Sequence, residues 1–137
     1  MLGYLYRIYG LEDANQLKKA QMYFINCLTY AIEKQDRKKE ITTLIRLGEV
    51  NKYQNQHENA LVQFHKAITL CQEKGMNQLL EFAYQHLGKC LMEMKCYDEA
   101  NKILQLALQI RLEKGNRELI NSTRNSLKYN SIYRNES

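Results

Sequence analysis

The stretch that decides the fold is residues 87–114, LGKCLMEMKCYDEANKILQLALQIRLEK. Forty residues upstream, residues 47–74 read LGEVNKYQNQHENALVQFHKAITLCQEK, so that a Leu-Gly pair opens each copy and a Glu-Lys pair closes it. Similarity of a chain to itself at a fixed period is the sequence signature of a repeat architecture. The chain is therefore predicted to be an array of similar units rather than a fold with one irregular core.

A weaker copy of the same pattern lies near the start of the chain. Ala60 falls on Ala20 and on Ala100 at shifts of forty, and the Glu-Lys pair recurs a third time at Glu33 and Lys34. The whole chain is thus interpreted as one array within residues 1–137. Its expected parts are repeat 1 at about 1–36, repeat 2 at about 37–76, repeat 3 at about 77–116 and a capping helix at about 117–134.

The spacing inside each copy is helical. Ala60, Phe64, Ala67 and Ile68 stand at i, i+4, i+7 and i+8, which forms one apolar stripe along a helix. The chain contains no proline, which favours long uninterrupted helices over a turn-rich β fold. An all-α fold is predicted, with helices near 1–10, 14–34, 37–53, 57–73, 77–95, 97–113 and 117–134.

The residues between the apolar stripes are typical of the ends of helices and so agree with helical hairpins. Gly75 and Gly115 follow two stripes at the place where a helix commonly ends in a left-handed residue. Asn77 and Asn116 come next and are predicted to cap the helices that follow. Asp98 is expected in the first turn of a helix, where a carboxylate suits the positive end of the dipole.

These residues resemble the tetratricopeptide repeat family. Leu87-Gly88, Tyr97, Ala100 and Leu104 match its pattern of Leu-Gly in a first helix and an aromatic, Ala and a bulky residue in a second. The forty-residue period resembles the long-repeat subgroup found in polarity adaptors and bacterial peptide-sensing regulators. The resemblance implies a right-handed α-solenoid of about three helical hairpins with a C-terminal capping helix.

The same resemblance implies a binding surface. In this family the first helix of each hairpin lines a concave groove that holds a partner's peptide or helix. Carried onto this chain, the expected groove positions mix aromatic, amide and charged side chains. They are Thr42, Ile45, Glu49, Lys52, Tyr53, Phe82, Gln85, Lys89, Ser122, Asn125 and Tyr129.

Composition and motifs argue against catalysis and against bound cofactors. The four cysteines form no CxxC pair, and no histidine spacing completes a zinc site. Gly88-Lys89 lacks the glycine-rich run of a phosphate-binding loop, and no nucleophile has a predictable His and acid partner. We therefore expect no enzyme, no metal and no cofactor. The N-terminus lacks the apolar core of a signal peptide, so the expected location is the cytoplasm.

The leading prediction is a non-catalytic protein–protein interaction module, or scaffold, that binds a peptide or helix of a partner. The alternative is the peptide-sensing portion of a multidomain regulator. Nucleic acid is a weaker hypothesis, since it depends on the net charge of +5 alone and the basic residues lie in mixed-sign clusters. No membrane partner is expected, because no stretch is long and apolar enough to cross a bilayer.

The start of the chain carries one further expectation. The first helix of repeat 1 lacks about a turn and a half ahead of its Leu2-Gly3, which is expected either of a truncated array or of one that continues upstream in a longer protein. The exposed tyrosines of that helix, Tyr4, Tyr6 and Tyr9, could pair with a second copy of the chain.

Overall fold

The computed structural model describes the backbone of residues 12–137 and the side chains of residues 14–137. This part of the chain contains six helices and no strand. It divides into two compact units, the first ending at Met76 and the second running from Asn77 to Ser137. In chain order the helices are α1 Glu12–Glu33, α2 Arg37–Tyr53, α3 His57–Lys74, α4 Asn77–Glu93, α5 Tyr97–Lys114 and α6 Arg117–Glu136.

The first unit is built around α2, on which α1 and α3 both pack. Ala60, Phe64 and Ala67 of the predicted stripe are fully buried. Phe64 lies directly over Gly48, because a Cβ atom at that glycine would stand only 2.8 Å from the Cδ1 of the ring. The Leu-Gly pair therefore opens the space that the bulky residue of the next helix fills.

The second unit repeats this construction in α4 and α5. Leu104 covers Gly88, where a Cβ atom would lie 2.6 Å from the leucine Cγ. Ala100 and Ala107 are fully buried, as Ala60 and Ala67 are in the first unit. The helix α6 then packs along α5 and touches α4. Within each unit successive helices pack on one another, which confirms the predicted all-α, solenoid-like class.

The predicted helix ends are mostly confirmed. Gly75 and Gly115 adopt left-handed φ angles of 65° and 77°, and Asn116 caps α6 by accepting a hydrogen bond from the backbone N–H of Leu119 at 3.1 Å. The prediction of Asn77 as a cap is wrong, because α4 already includes Asn77 as its first residue. At a shift of forty, the residue that matches Asn116 is Met76.

The predictions for the start of the chain concern residues that the structure does not describe. These are the helix near 1–10, the Leu2-Gly3 pair and the tyrosine face at Tyr4, Tyr6 and Tyr9. Among the six described helices, none has both the length and the apolar character that spanning a bilayer requires.

Candidate partner-binding surfaces

An apolar groove runs between α1 and α3 on the first unit, and we call it the α1–α3 groove. Both helices pack on α2, and among the described residues their backbones do not approach each other closely. The space left between them measures about 740 Å³. Ligand sites typically occupy about 300–1,000 Å³ and are lined mainly by apolar side chains. The apolar lining consists of Leu28, Ile32, Leu44, Leu61, Val62 and Leu70.

Exposed aliphatic side chains extend the rim of this groove. Ile25 and Ile32 on α1 are 45% and 49% exposed, and Val62 on α3 is 50% exposed. Ile25, Thr29 and Ile32 are spaced at i, i+4 and i+7, so that they follow one edge of α1. Single exposed apolar residues are ordinary, whereas several beside an apolar groove are typical of an interaction surface or a ligand-binding groove.

The polar groups of the groove carry both charge signs. Glu58, His65 and Lys66 are exposed on α3, and Thr69 adds a hydroxyl. Glu40 is buried at the α2 side, where its carboxylate accepts a hydrogen bond from Arg37 at 2.9 Å. The α1–α3 groove therefore combines an apolar lining with polar side chains of both charge signs.

The predicted groove positions of α2 lie on one face of that helix and differ in accessibility. Thr42, Glu49 and Tyr53 are half-buried, whereas Ile45 and Lys52 are each only 5% exposed. The Lys52 ammonium lies 4.9 Å from the centroid of the Tyr53 ring. The side chains of Ile45 and Lys52 are thus held within the fold, while the other three reach the surface.

The positions on α4 are largely engaged inside the second unit. The Gln85 carboxamide is buried and donates to Ser126 Oγ at 3.0 Å. Phe82 is half-buried, with its ring centroid 5.3 Å from the Arg111 guanidinium, and Lys89 is half-buried as well. Of these three predicted residues, Phe82 contacts α5 and Gln85 contacts α6.

The positions on α6 do form an open surface. Ser122, Asn125 and Tyr129 lie along one side of the helix and are all exposed. Tyr129 stacks on Tyr133 with ring centroids 6.4 Å apart. Binding of a partner at any of the predicted positions stays a prediction, and the structure shows which of their side chains are accessible.

Sequence reasoning missed a buried polar network in the second unit. Arg111 on α5 is 2% exposed and donates to Glu81 Oε1 on α4 at 3.0 Å. Lys114 pairs with the second carboxylate oxygen of Glu81. A signal was present, because Glu81 and Arg111 stand forty residues after the buried Ile41 and Cys71. Side chains of opposite charge at two positions that are buried in the preceding repeat indicate a buried ion pair.

Two buried groups have shifted pKa values. Burial lowers the pKa of the Arg111 guanidinium from its ordinary value, and the hydrogen bond and charge of Glu81 oppose that shift. Burial raises the pKa of the Cys71 thiol, which keeps it protonated and unreactive. Within residues 14–137, no three His, Cys, Asp or Glu side chains gather closely enough to hold a metal ion.

Comparison with known proteins gives a partial match. No protein-family model matches the chain. A curated relative, the response regulator aspartate phosphatase I of Bacillus subtilis (strain 168), is 32% identical over 74 residues. The matched residues make up 54% of this chain and 19% of the relative, so the chain corresponds to about a fifth of that protein's length. The chain is therefore similar to part of a larger protein that acts on response regulators.

Proposed function

We propose that this chain is a non-catalytic protein-binding module that docks a helix of a partner protein. The α1–α3 groove is the observation that carries the proposal. Its lining is mainly aliphatic, its rim exposes Ile25, Ile32 and Val62, and its volume is in the range of real binding sites. No described helix fills the space between its two walls.

The shape of the groove favours a helix as the occupant. Two helices that both pack on a third leave a trough into which a fourth helix can lay one apolar stripe. Recognition of this kind places residues at i, i+3 or i+4 and i+7 of the bound helix against the groove. Leu28, Leu44 and Leu61 would contact that stripe, and Glu58 and Lys66 would select polar residues beside it.

The curated relative supports a protein as the partner. Its name describes an enzyme that acts on response regulators, which are themselves proteins. A segment similar to part of that enzyme is expected to contact protein surfaces as well.

The alternative is that this chain belongs to a regulator and changes shape when it binds a small peptide. Small-angle scattering separates the two functions, since an unchanged profile with candidate peptides contradicts the sensor.

We also propose that the described helices have no catalytic activity of their own. Their most buried charged groups, Glu81 and Arg111, are hydrogen-bonded to each other and have a structural explanation. The direct test incubates the chain with a response regulator phosphorylated on aspartate and follows loss of the phosphoryl group. We expect the spontaneous rate, and an accelerated rate would contradict this part of the proposal.

The docking site is tested by affinity capture from cell lysate with paired variants. Ile32→Asp with Val62→Asp places charge on both walls of the α1–α3 groove, while Asn101→Asp with Gln105→Asp places equal charge on exposed positions of α5. Circular dichroism first confirms that both variants are folded. A protein retained by the wild type and the α5 variant, but lost by the groove variant, supports the site.

Capture by all three forms contradicts the α1–α3 groove as the site. In that case the predicted positions of α2 are the next candidate, and Thr42→Asp with Glu49→Lys tests them. Both of those residues are half-buried on one face of α2, so that a partner can reach them.

A further inference from the structure

The fully enclosed contacts of α6 within the second unit are polar. Its buried residues are Thr123, Ser126 and Asn130, and none of them is apolar. Its larger apolar side chains are less enclosed, since Leu119, Ile120 and Leu127 are half-buried and Tyr129, Ile132 and Tyr133 are exposed. The helices α4 and α5, by contrast, meet through fully buried residues such as Leu87 and Leu104.

Hydrogen bonds to α4 and α5 anchor this polar face. The Arg111 guanidinium donates to Thr123 Oγ1 at 2.8 Å and to the Leu119 carbonyl at 3.3 Å. The Thr123 hydroxyl in turn donates to Gln85 Oε1 at 2.8 Å. The Asn130 amide donates to the Tyr97 carbonyl at 2.9 Å. A hydrogen bond inside a protein adds only a modest net free energy, because water satisfies the same groups when they separate.

The charges beneath α6 are balanced without it. Glu81 pairs with Arg111 and with Lys114, and all three residues belong to α4 and α5. Removing α6 therefore leaves no lone buried charge, which is the usual reason that breaking a buried network is costly. The released hydroxyl and amide groups on both sides become accessible to water.

We propose that α6 is a detachable cap that opens as a unit while α4 and α5 stay folded. The two residues between α5 and α6 are Gly115 and Asn116, and the left-handed φ of Gly115 supplies the hinge. Opening exposes the Arg111 guanidinium and the Gln85 carboxamide side by side.

Native-state hydrogen exchange of the full chain tests the proposal. We expect the slowest amides of α6 to exchange at least about tenfold faster than the slowest amides of α4 and α5, because local opening needs less free energy than unfolding of the unit. Thr123→Val removes the hydroxyl that Arg111 and Gln85 share. It should speed exchange in α6 by about another tenfold and leave the slowest amides of α4 and α5 unchanged.

The matched control is Thr69→Val, an exposed threonine on α3 that should leave exchange in α6 as it is. If the slowest amides of all three helices exchange at one common rate in the wild type, α6 opens only with the whole unit and the proposal is wrong. This comparison needs only the wild type, so it decides the matter even if Thr123→Val does not fold.

Discussion

At the scale of single residues, two glycines set the distance between paired helices. Gly48 lies under Phe64 and Gly88 under Leu104, with no room for a Cβ atom at either position. Forcing a methyl group into a well-packed core costs about 1–3 kcal/mol, because neighbouring side chains must leave their preferred rotamers. The repeat therefore depends on the absence of a side chain as much as on the bulky residue opposite.

Replacing either glycine should weaken the fold. We expect Gly48→Ala and Gly88→Ala each to lower the free energy of unfolding by about 1–3 kcal/mol, although alanine is the better helix former. Urea denaturation followed by circular dichroism measures the change. Lys102→Ala on the exposed side of α5 is the control and should stay within about 0.5 kcal/mol of the wild type. Stability equal to the wild type for both glycine variants would contradict the observed contacts.

The Glu81–Arg111 pair should behave as a unit. Arg111→Leu alone leaves the buried Glu81 carboxylate with Lys114 as a remaining charged partner, so we expect a cost no larger than the about 3–5 kcal/mol of an uncompensated buried charge. Glu81→Leu combined with Arg111→Leu should cost clearly less than the two single changes added together, since Ile41 and Cys71 fill the equivalent positions of the first unit without charge. A double-mutant cycle from urea denaturation measures this coupling.

Arg124→Leu is the control for the pair, because this arginine is exposed on α6. It should change the free energy of unfolding by no more than about 0.5 kcal/mol. Strict additivity of the Glu81 and Arg111 substitutions would mean that the two side chains do not interact energetically.

At the scale of helices, the caps decide where each element begins and ends. Asn116→Ala removes the side-chain acceptor for the Leu119 N–H and should lower the free energy of unfolding by about 0.5–2 kcal/mol. Asn121→Ala, exposed inside the same helix, should have a much smaller effect. Equal losses for the two substitutions in thermal or urea unfolding would show that the cap does not stabilise α6.

The helix boundaries were predictable because the apolar stripes and the glycines mark them independently. Gly75 and Gly115 stop α3 and α5 as expected, and the start of α2 at Arg37 and of α3 at His57 agree with the prediction. Asn77 shows the limit of such reasoning. The residue ahead of α4 is Met76, whose side chain is not of a capping type, so residue type alone placed the cap one position too late.

At the scale of the whole molecule, the repeat predicted the buried core residues and did not predict the binding surfaces. Buried stripe positions recur every forty residues because each pair of helices must close against its partner in the same way. Surface residues are under no such constraint. The α1–α3 groove depends on Val62 and Leu61, which lie beside the stripe rather than on it, so periodicity gave no sign of them.

The predicted groove positions also show that the repeat does not determine which surface residues are accessible. The family resemblance identified one face of α2, and there the structure leaves Thr42, Glu49 and Tyr53 accessible. The resemblance did not predict that Gln85 donates to Ser126, because the repeat pattern describes the apolar stripes and not the hydrogen bonds between residues 41 positions apart. The accessibility of each side chain depends on such individual contacts, and a repeat pattern does not contain them.

Site-specific photo-crosslinking tests the central claim, that a partner protein docks in the α1–α3 groove. A photoreactive amino acid replaces Val62 on the groove wall, Thr42 on the predicted face of α2, or Lys102 on the exposed side of α5. After irradiation in cells, we expect one defined crosslinked protein with Val62 and none with Lys102. Crosslinks at Thr42 but not at Val62, or the same products at all three positions, would contradict the claim.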